Sequence, residues 1–427
     1  MEPTLEQQGS GYKITWASKN VEMRVRNIKP KGFKAEVAVL LNNMPVHRSN
    51  PTLDSVSGMD AFARKLNRRR PLDDYGVDWE QLVEDLSGIV IDTYRTGEKE
   101  VQRKDVSLGD KLLWRVDNLL VEGDISIVWA DGGTGKSMFA LFLSTLVQQG
   151  YMSTEHGLIV EPGNVLYLDY ETTSREIATR SRLIQAGLGI DAADAGNTSS
   201  RITYRKCDQP FTDEVDRIRD IIFKHSINVV IVDSMGMACG DLNDMDAVLQ
   251  FFRELRKLTD TTILVVTHAN RQGTFFGSAY THNSGRLIWE AKRSGSNDSG
   301  MDFSLFCRKA NNVPMQPPQS WSVDFSDGKA VYVRKDVFET DDAGELSYFR
   351  LVYNVLKEDG ESTRDHLKDR IKILKPKDRQ GKDIPSEKTE RNVESAISKQ
   401  KKEGTVEEVY GLLRLTKERE SEWQEIA

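Results

Sequence analysis

Cysteine is scarce in this chain. Three occur in 427 residues, Cys207, Cys239 and Cys307, far apart and odd in number. That spacing provides neither a disulfide framework nor a metal-ligand cluster. No run of 18 or more apolar residues is present, so no transmembrane helix is expected. The opening Met1-Glu2-Pro3-Thr4-Leu5-Glu6 lacks the apolar stretch of a secretory signal. Internal repeats and long low-complexity tracts are missing as well. Basic charge does not dominate either: 59 Lys and Arg stand against 66 Asp and Glu, a net charge of −7. The surface as a whole is therefore no cationic glove for nucleic acid, although one basic module within it stays open. What is present, 38% hydrophobic and 29% charged residues, suits a soluble cytoplasmic protein of two or three domains.

Three regions differ in pattern. Up to about residue 105, alternating segments such as Val21-Glu22-Met23-Arg24-Val25 and Lys34 to Val39 read as strands with one buried face. Helical patterns follow around Asp60 to Asn67 and through Trp79, Leu82, Val83, Leu86 and Val90. This predicts a small α+β module over 1–105. From 106 to 338, short apolar runs alternate with helix-length amphipathic segments. Such runs, apolar on both faces, predict a mostly parallel central sheet flanked by helices, an α/β fold. From 344 to 427 the order is three helices and then two short strands around a turn, which is the order of a winged helix.

The middle region opens with Ile125-Ser126-Ile127-Val128-Trp129-Ala130, followed by Asp131-Gly132-Gly133-Thr134-Gly135-Lys136-Ser137-Met138. An apolar strand runs into a glycine-rich loop and then a helix. Glycines let successive backbone N–H groups converge on phosphate oxygens, and the helix N-terminus adds partial positive charge. Residues Gly132 to Met138 thus form a candidate phosphate cradle, with Lys136 for the β- and γ-phosphates of ATP and the Ser137 hydroxyl for Mg²⁺. Ala130 replaces the usual first glycine, a substitution small enough to be tolerated.

Acids complete the pattern. Val229-Val230-Ile231-Val232 ends in Asp233, placed to hold Mg²⁺ through water. Val165-Leu166-Tyr167-Leu168 leads to Asp169 and Glu171. Glu171 is the candidate to polarise an attacking water, with Asp169 as competitor. A further strand ends in Thr267-His268, where a polar residue can touch the γ-phosphate.

In that order, the P-loop, Glu171, Asp233 and His268 resemble the RecA/DnaB-like ATPase core. Within that group the chain looks most similar to RepA-like hexameric replicative helicases of plasmids and phages. The lead-in from Trp114 to Gly123 resembles the same group, and the likeness spans about 106–338. Motif order and strand spacing argue against the adenylate kinase, GTPase and AAA+ branches. The resemblance implies a homo-oligomeric ring, a hexamer, in a bacterial, plasmid or phage setting. It also implies a cation on a late strand that reaches the neighbouring subunit's γ-phosphate. Lys309 matches that position; Asn311 stands where an arginine is common, so Arg308 is the other candidate. DNA-contacting loops would be 235–246, which is acidic, and 271–284, where Arg271, Phe275 and Phe276 combine a cation with stacking rings. Arg286, Lys292 and Arg293 are further basic candidates for the pore.

Charge is uneven along the chain. Residues 364–402 hold 13 Lys and Arg against 7 Asp and Glu, whereas 1–105 hold 17 against 16. The third C-terminal helix carries Lys388, Arg391 and Lys399, residue types suited to contacting duplex DNA. The sequence therefore predicts an ATP-hydrolysing DNA motor of helicase type, with single-stranded DNA in the ring and no membrane. A recombinase or annealing filament is one alternative. An ATP-switched, sequence-specific DNA-binding regulator is the other.

Overall fold

Five short strands open the chain: β1 (Thr4–Gln8), β2 (Gly11–Trp16), β3 (Val21–Lys29), β4 (Lys34–Leu41) and β5 (Met44–Ser49). They form an antiparallel meander in sequence order. Asn42 and Asn43, both at positive φ, make the two-residue turn between β4 and β5, a turn that matches strand twist. Alternation buries Ile14, Met23, Val25, Val37 and Val39 on one face. Helices α1 (Val56–Asn67) and α2 (Trp79–Thr96) cover that face with Phe62, Leu66, Trp79, Leu82 and Leu86. The computed structural model describes residues 3–29, 31–69, 76–96, 113–150, 157–190, 202–242, 244–258, 261–269, 279–297, 299–311, 313–378 and 382–416.

The chain divides into two compact units, one of Met1–Lys111 with Phe211–Ile227, the other of Leu112–Pro210 with Asn228–Ala427. The first unit therefore includes a helix, Phe211–His225, that the sequence reading assigned to the middle region. Asp220 on that helix accepts the backbone N–H of Ser10 at 3.3 Å and lies 3.6 Å from Arg26. Gly9 must be glycine for this approach: its φ is +59°, and a Cβ would meet Asp220 Oδ1 at 2.3 Å.

The second unit begins with the short strands β6 (Trp114–Val116) and β7 (Leu120–Val121). Then follow β8 (Ile125–Ala130), α3 (Lys136–Gln149), β9 (Asn164–Asp169), α4 (Ser174–Gly187) and β10 (Thr203–Lys206). The Phe211–His225 helix is α5, and β11 (Ile227–Asp233), α6 (Met235–Cys239), α7 (Met245–Leu255) and β12 (Thr262–His268) come next. After α8 (Ala279–Ser284) the chain forms β13 (Leu287–Asn297), β14 (Gly300–Ala310), β15 (Gln319–Asp324) and β16 (Val331–Lys335). These make a nine-stranded sheet in the order β10-β9-β11-β12-β8-β13-β14-β15-β16. Pairings β10/β9, β11/β12, β12/β8 and β8/β13 are parallel, and the last three pairings are antiparallel. All six residues of β8 are buried, as expected for a strand covered on both faces. The fold is thus mixed α/β with a mostly parallel central sheet.

Its last part holds α9 (Tyr348–Asp359), α10 (Arg364–Ile373), α11 (Ser386–Lys402), β17 (Val406–Val409) and β18 (Leu412–Leu415). Ser347 and Thr363 cap α9 and α10 through their hydroxyls, which satisfies otherwise orphaned first-turn N–H groups. Leu351, Val355, Leu367, Ile371, Val393, Ile397 and Leu413 share one apolar cluster, which also takes in Phe306 of β14. Among the described residues, no helix is long and apolar enough to cross a membrane.

Candidate nucleotide site

The loop Asp131 to Gly135 leaves β8 at the centre of the sheet and enters α3 at Lys136. Gly133 (φ +74°) and Gly135 (φ +90°) adopt the left-handed conformation that side chains disfavour. Ala130 does not: it ends β8, paired in register with His268. Alanine is accepted there because the position is ordinary strand. Thr134 Oγ1 donates to Asp131 O at 2.8 Å and tightens the loop. Lys136 Nζ turns back along it, donating to Ala130 O at 3.0 Å and Asp131 O at 2.7 Å. Burial lowers the ammonium's pKa, against the pull of Asp233, Glu171 and Asp131.

Asp169 and Glu171 take different parts. Asp169 is fully buried, and its two oxygens accept the backbone N–H groups of Glu171 (3.0 Å) and Thr172 (2.8 Å) and the hydroxyls of Thr172 (2.7 Å) and Tyr204 (2.9 Å). Burial would raise its pKa, but these four donors lower it overall. The carboxylate is occupied in shaping the turn after β9. Glu171 instead meets the phosphate loop's neighbours. The Ser234 hydroxyl donates to it, and His268 Nε2 lies 3.2 Å from its Oε1. His268 Nδ1 lies 3.4 Å from Lys136 Nζ. One neutral tautomer satisfies both contacts: Nδ1 accepts from the ammonium while Nε2–H donates to Glu171. The His268 hydrogen bond is the main cause of a lowered Glu171 pKa, which keeps the group a carboxylate.

Asp233 ends β11 at 2% exposure. Its Oδ2 accepts the Tyr167 hydroxyl at 2.5 Å, while Oδ1 is buried without a hydrogen-bond partner among the described residues. Burial raises its pKa, opposed by Tyr167 and by the nearby Ser137 hydroxyl. A buried, unsatisfied carboxylate oxygen beside a hydroxyl fits a hydrated Mg²⁺. No three His, Cys, Asp or Glu side chains group to hold a metal among the described residues. The cation would therefore rely on phosphate and water for its other ligands.

Arg308 and Lys309, adjacent in β14, are separated by a register shift. Lys309 pairs with Ile288 and Cys307 with Trp289, leaving Arg308 as the extra residue of a bulge, a device that re-aims side chains. Arg308 lies in ion pairs with Glu290 and, at 3.0 Å, with Glu345, which is 1% exposed. Those buried bonds argue against Arg308 as a reaching cation. Lys309 Nζ donates to the carbonyls of His282 (2.6 Å) and Gly285 (3.0 Å). Burial, and then Arg286, lower its pKa.

The expected DNA contacts fare unevenly. Arg271, Phe275 and Phe276 lie outside the described residues. In the acidic stretch, Met235 to Cys239 is helical, and Asp244 caps α7 by accepting Asp246 N–H at 2.9 Å. Lys292 is held by Glu345 at 2.6 Å, and Arg286 pairs with Asp124 at 3.4 Å. Lys388, Arg391 and Lys399 are exposed on α11. Much of the basic excess around them is neutralised: Arg364 and Lys368 pair with Glu394, Lys372 with Glu390, and Lys401 with Glu408. Tyr167, Ser234 and Tyr204 were not singled out from the sequence. The available signal was a hydroxyl inside an apolar run and a serine directly after the strand-end acid.

Residues 98–274 match a family model described as AAA domain. The match spans Lys136, Glu171, Asp233 and His268, the residues gathered at this site. Over that stretch the chain is similar to the AAA-domain family, and its loop from Asp131 to Ser137 has the form of a P-loop. The description AAA domain lends no support to the exclusion of the AAA+ branch drawn from motif order. P-loop ATPases bind nucleotide, usually with Mg²⁺, which agrees with the Asp233–Ser137 corner. No curated protein sequence matches the chain. Among solved structures, the chain resembles a KaiC-like protein from the archaeon Pyrococcus horikoshii. The TM-score is 0.38 and identity 14%, over 52% of this chain and 98% of that one.

Proposed function

We propose that the protein is an ATP-driven, ring-forming DNA motor of the replicative helicase kind, a hexamer hydrolysing ATP between subunits. In this reading, backbone N–H groups of Gly132 to Met138 cradle the phosphates and Lys136 leaves its loop carbonyls for the β- and γ-oxygens. Mg²⁺, held by Ser137 and Asp233, supplies charge neutralisation at the phosphates. Glu171 accepts the proton of the attacking water, and His268 registers the γ-phosphate.

The observation that carries the reading is the placement of Lys309. The cationic influences on Glu171 come from Lys136 and His268, while Lys309 is held by carbonyls of the α8 segment. A half-buried cation near a strand end, held by carbonyls rather than by the acids of the site, suits delivery to a neighbour's site, where it stabilises transition-state charge. Hydrolysis then depends on assembly. The test is the ATPase rate with and without single-stranded DNA, alongside sizing of the nucleotide-bound particle. A monomer hydrolysing at a DNA-independent rate would rule the motor out; open helices in electron micrographs would favour a recombinase or annealing filament.

The exposed Lys388, Arg391 and Lys399 on α11 favour a second reading. There the C-terminal module binds a duplex site and ATP controls assembly. Sequence-specific footprints without unwinding would favour this regulator.

A further inference from the structure

A cavity of about 640 Å³ lies between the C-terminal module and the end of β14. The ATPase sheet contributes Arg308 and the loop of Met315, Pro317 and Pro318, which follows Lys309 in the chain. The module contributes Arg350 from α9, Lys377 from the α10–α11 connection, and Lys388 and Asn392 from α11. The lining holds four cations and two carboxylates. Of the carboxylates, Asp378 keeps its charge and accepts the backbone N–H of Lys382 at 3.0 Å, while Glu345 is paired with Lys292 and Arg308. Arg308 is neutralised by the same pairing. No ion pair within 4.0 Å engages Arg350, Lys377 or Lys388 among the described residues.

Elsewhere in the module Arg364, Lys368, Arg370 and Lys372 are each paired with an acid. Arg350, Lys377 and Lys388 instead gather around one cleft with no acid at ion-pair distance among the described residues, Asp336 acting on Arg350 and Asp342 on Lys377 from farther off. Like charges between low-dielectric walls repel one another and focus field on an incoming anion. They come from three separate elements, an arrangement suited to successive phosphates of a chain rather than to one phosphate. Tyr348 adds a ring and Asn392 an amide to the same lining, the partners that stack bases and hydrogen-bond sugars or base edges. The volume falls within the roughly 300–1,000 Å³ of ligand clefts.

We infer that this cleft binds the backbone of a single nucleic-acid strand. The inference rests on the DNA-motor reading and places the strand against the loop that leaves Lys309. It moves Lys388 from a duplex-reading face to a single-strand site.

The test is fluorescence anisotropy of the full chain with labelled oligothymidylate at several salt concentrations. K377A/K388A is expected to bind about tenfold more weakly. Its salt slope should fall by about 1.4, since each single-strand phosphate contact contributes roughly 0.7. K377R/K388R should restore binding. A charge-matched control, K329A/K357A, removes two exposed lysines away from the cleft and should match wild type. Nucleotide binding by K377A/K388A, unchanged, shows that the variant folds. Normal oligothymidylate binding by K377A/K388A, or an equal loss in the control, overturns the cleft and leaves the motor standing. Displacement of the strand by inorganic phosphate beyond its ionic-strength effect also overturns it, in favour of a small-anion site. Wild-type protein that binds no single strand at all overturns the motor reading itself.

Discussion

The phenol of Tyr167 donates to Asp233 Oδ2 at 2.5 Å, joining two strands of the ATPase sheet behind the phosphate loop. Tyr167 is completely buried, and burial pushes its pKa well up, so it stays a donor. One carboxylate oxygen is thereby fixed, and Oδ1 is left without a hydrogen-bond partner among the described residues. The carboxylate of a strand-end aspartate is oriented by a residue 66 positions away in sequence.

Tyr167→Phe removes that donor and little volume. Stability should fall by about 1–3 kcal/mol, the cost of leaving a buried acceptor underbonded, measured by urea denaturation. The Mg²⁺ concentration needed for half-maximal nucleotide binding should rise. An unchanged Mg²⁺ midpoint would show that Tyr167 only fills space.

Lys136→Ala should abolish hydrolysis while the chain remains folded. Its ammonium bonds loop carbonyls rather than filling the core. Steady-state phosphate release checks this; wild-type turnover in the variant would refute the site.

The acid limb of the hydrolysis pH profile should depend on His268. Its hydrogen bond is the largest cause holding the Glu171 pKa below the ordinary value. A depressed pKa keeps the carboxylate ionised as pH falls, so the wild-type acid limb lies low. His268→Ala removes the donor, Glu171 protonates sooner, and the limb moves to higher pH. The position of the limb, rather than the height of the profile, is the readout; a limb that stays in place or moves down contradicts the coupling.

Arg308 and Lys309 should behave oppositely although they are neighbours. Arg308→Ala leaves Glu290 and Glu345, whose side chain is 1% exposed, to share Lys292 alone. It should lose about 1–3 kcal/mol, the cost of removing hydrogen bonds to charged groups. Lys309→Ala should change stability by less than about 0.5 kcal/mol and lose cooperative turnover. Mixed with Glu171→Ala, it should partly regain hydrolysis, because a mixed interface unites an intact base with an intact cation. No regain on mixing would sink the trans role.

The pieces read most easily from sequence were local ones. The strand, glycine loop and Lys136-Ser137 occupy one continuous stretch, and the left-handed turns at Gly133 and Gly135 follow from their residue type. Buried strands ending at Asp233 and His268 announced themselves as apolar runs. The choice between Asp169 and Glu171 could not be made that way. It depended on Tyr204 and Thr172 occupying one carboxylate while Ser234 and His268 met the other. The charge excess over 364–402 was a true count but a poor guide to free charge. Pairing with Glu390, Glu394 and Glu408 is set by how the helices pack.

By itself, then, the sequence determined a phosphate-binding loop on a buried parallel strand, the acids at neighbouring strand ends, and a helical module after the sheet. Those features are written in runs of a dozen residues, where backbone preference and apolar periodicity act locally. Tertiary structure alone decided that α5 joins the N-terminal sheet and that Tyr167 orients Asp233. It also decided that a bulge sends Arg308 into buried pairs while Lys309 stays at the strand end, and that Arg350, Lys377 and Lys388 gather around one cleft. Each of these depends on the register and distance between segments far apart in the chain, where burial and charge pairing act and no local pattern records them.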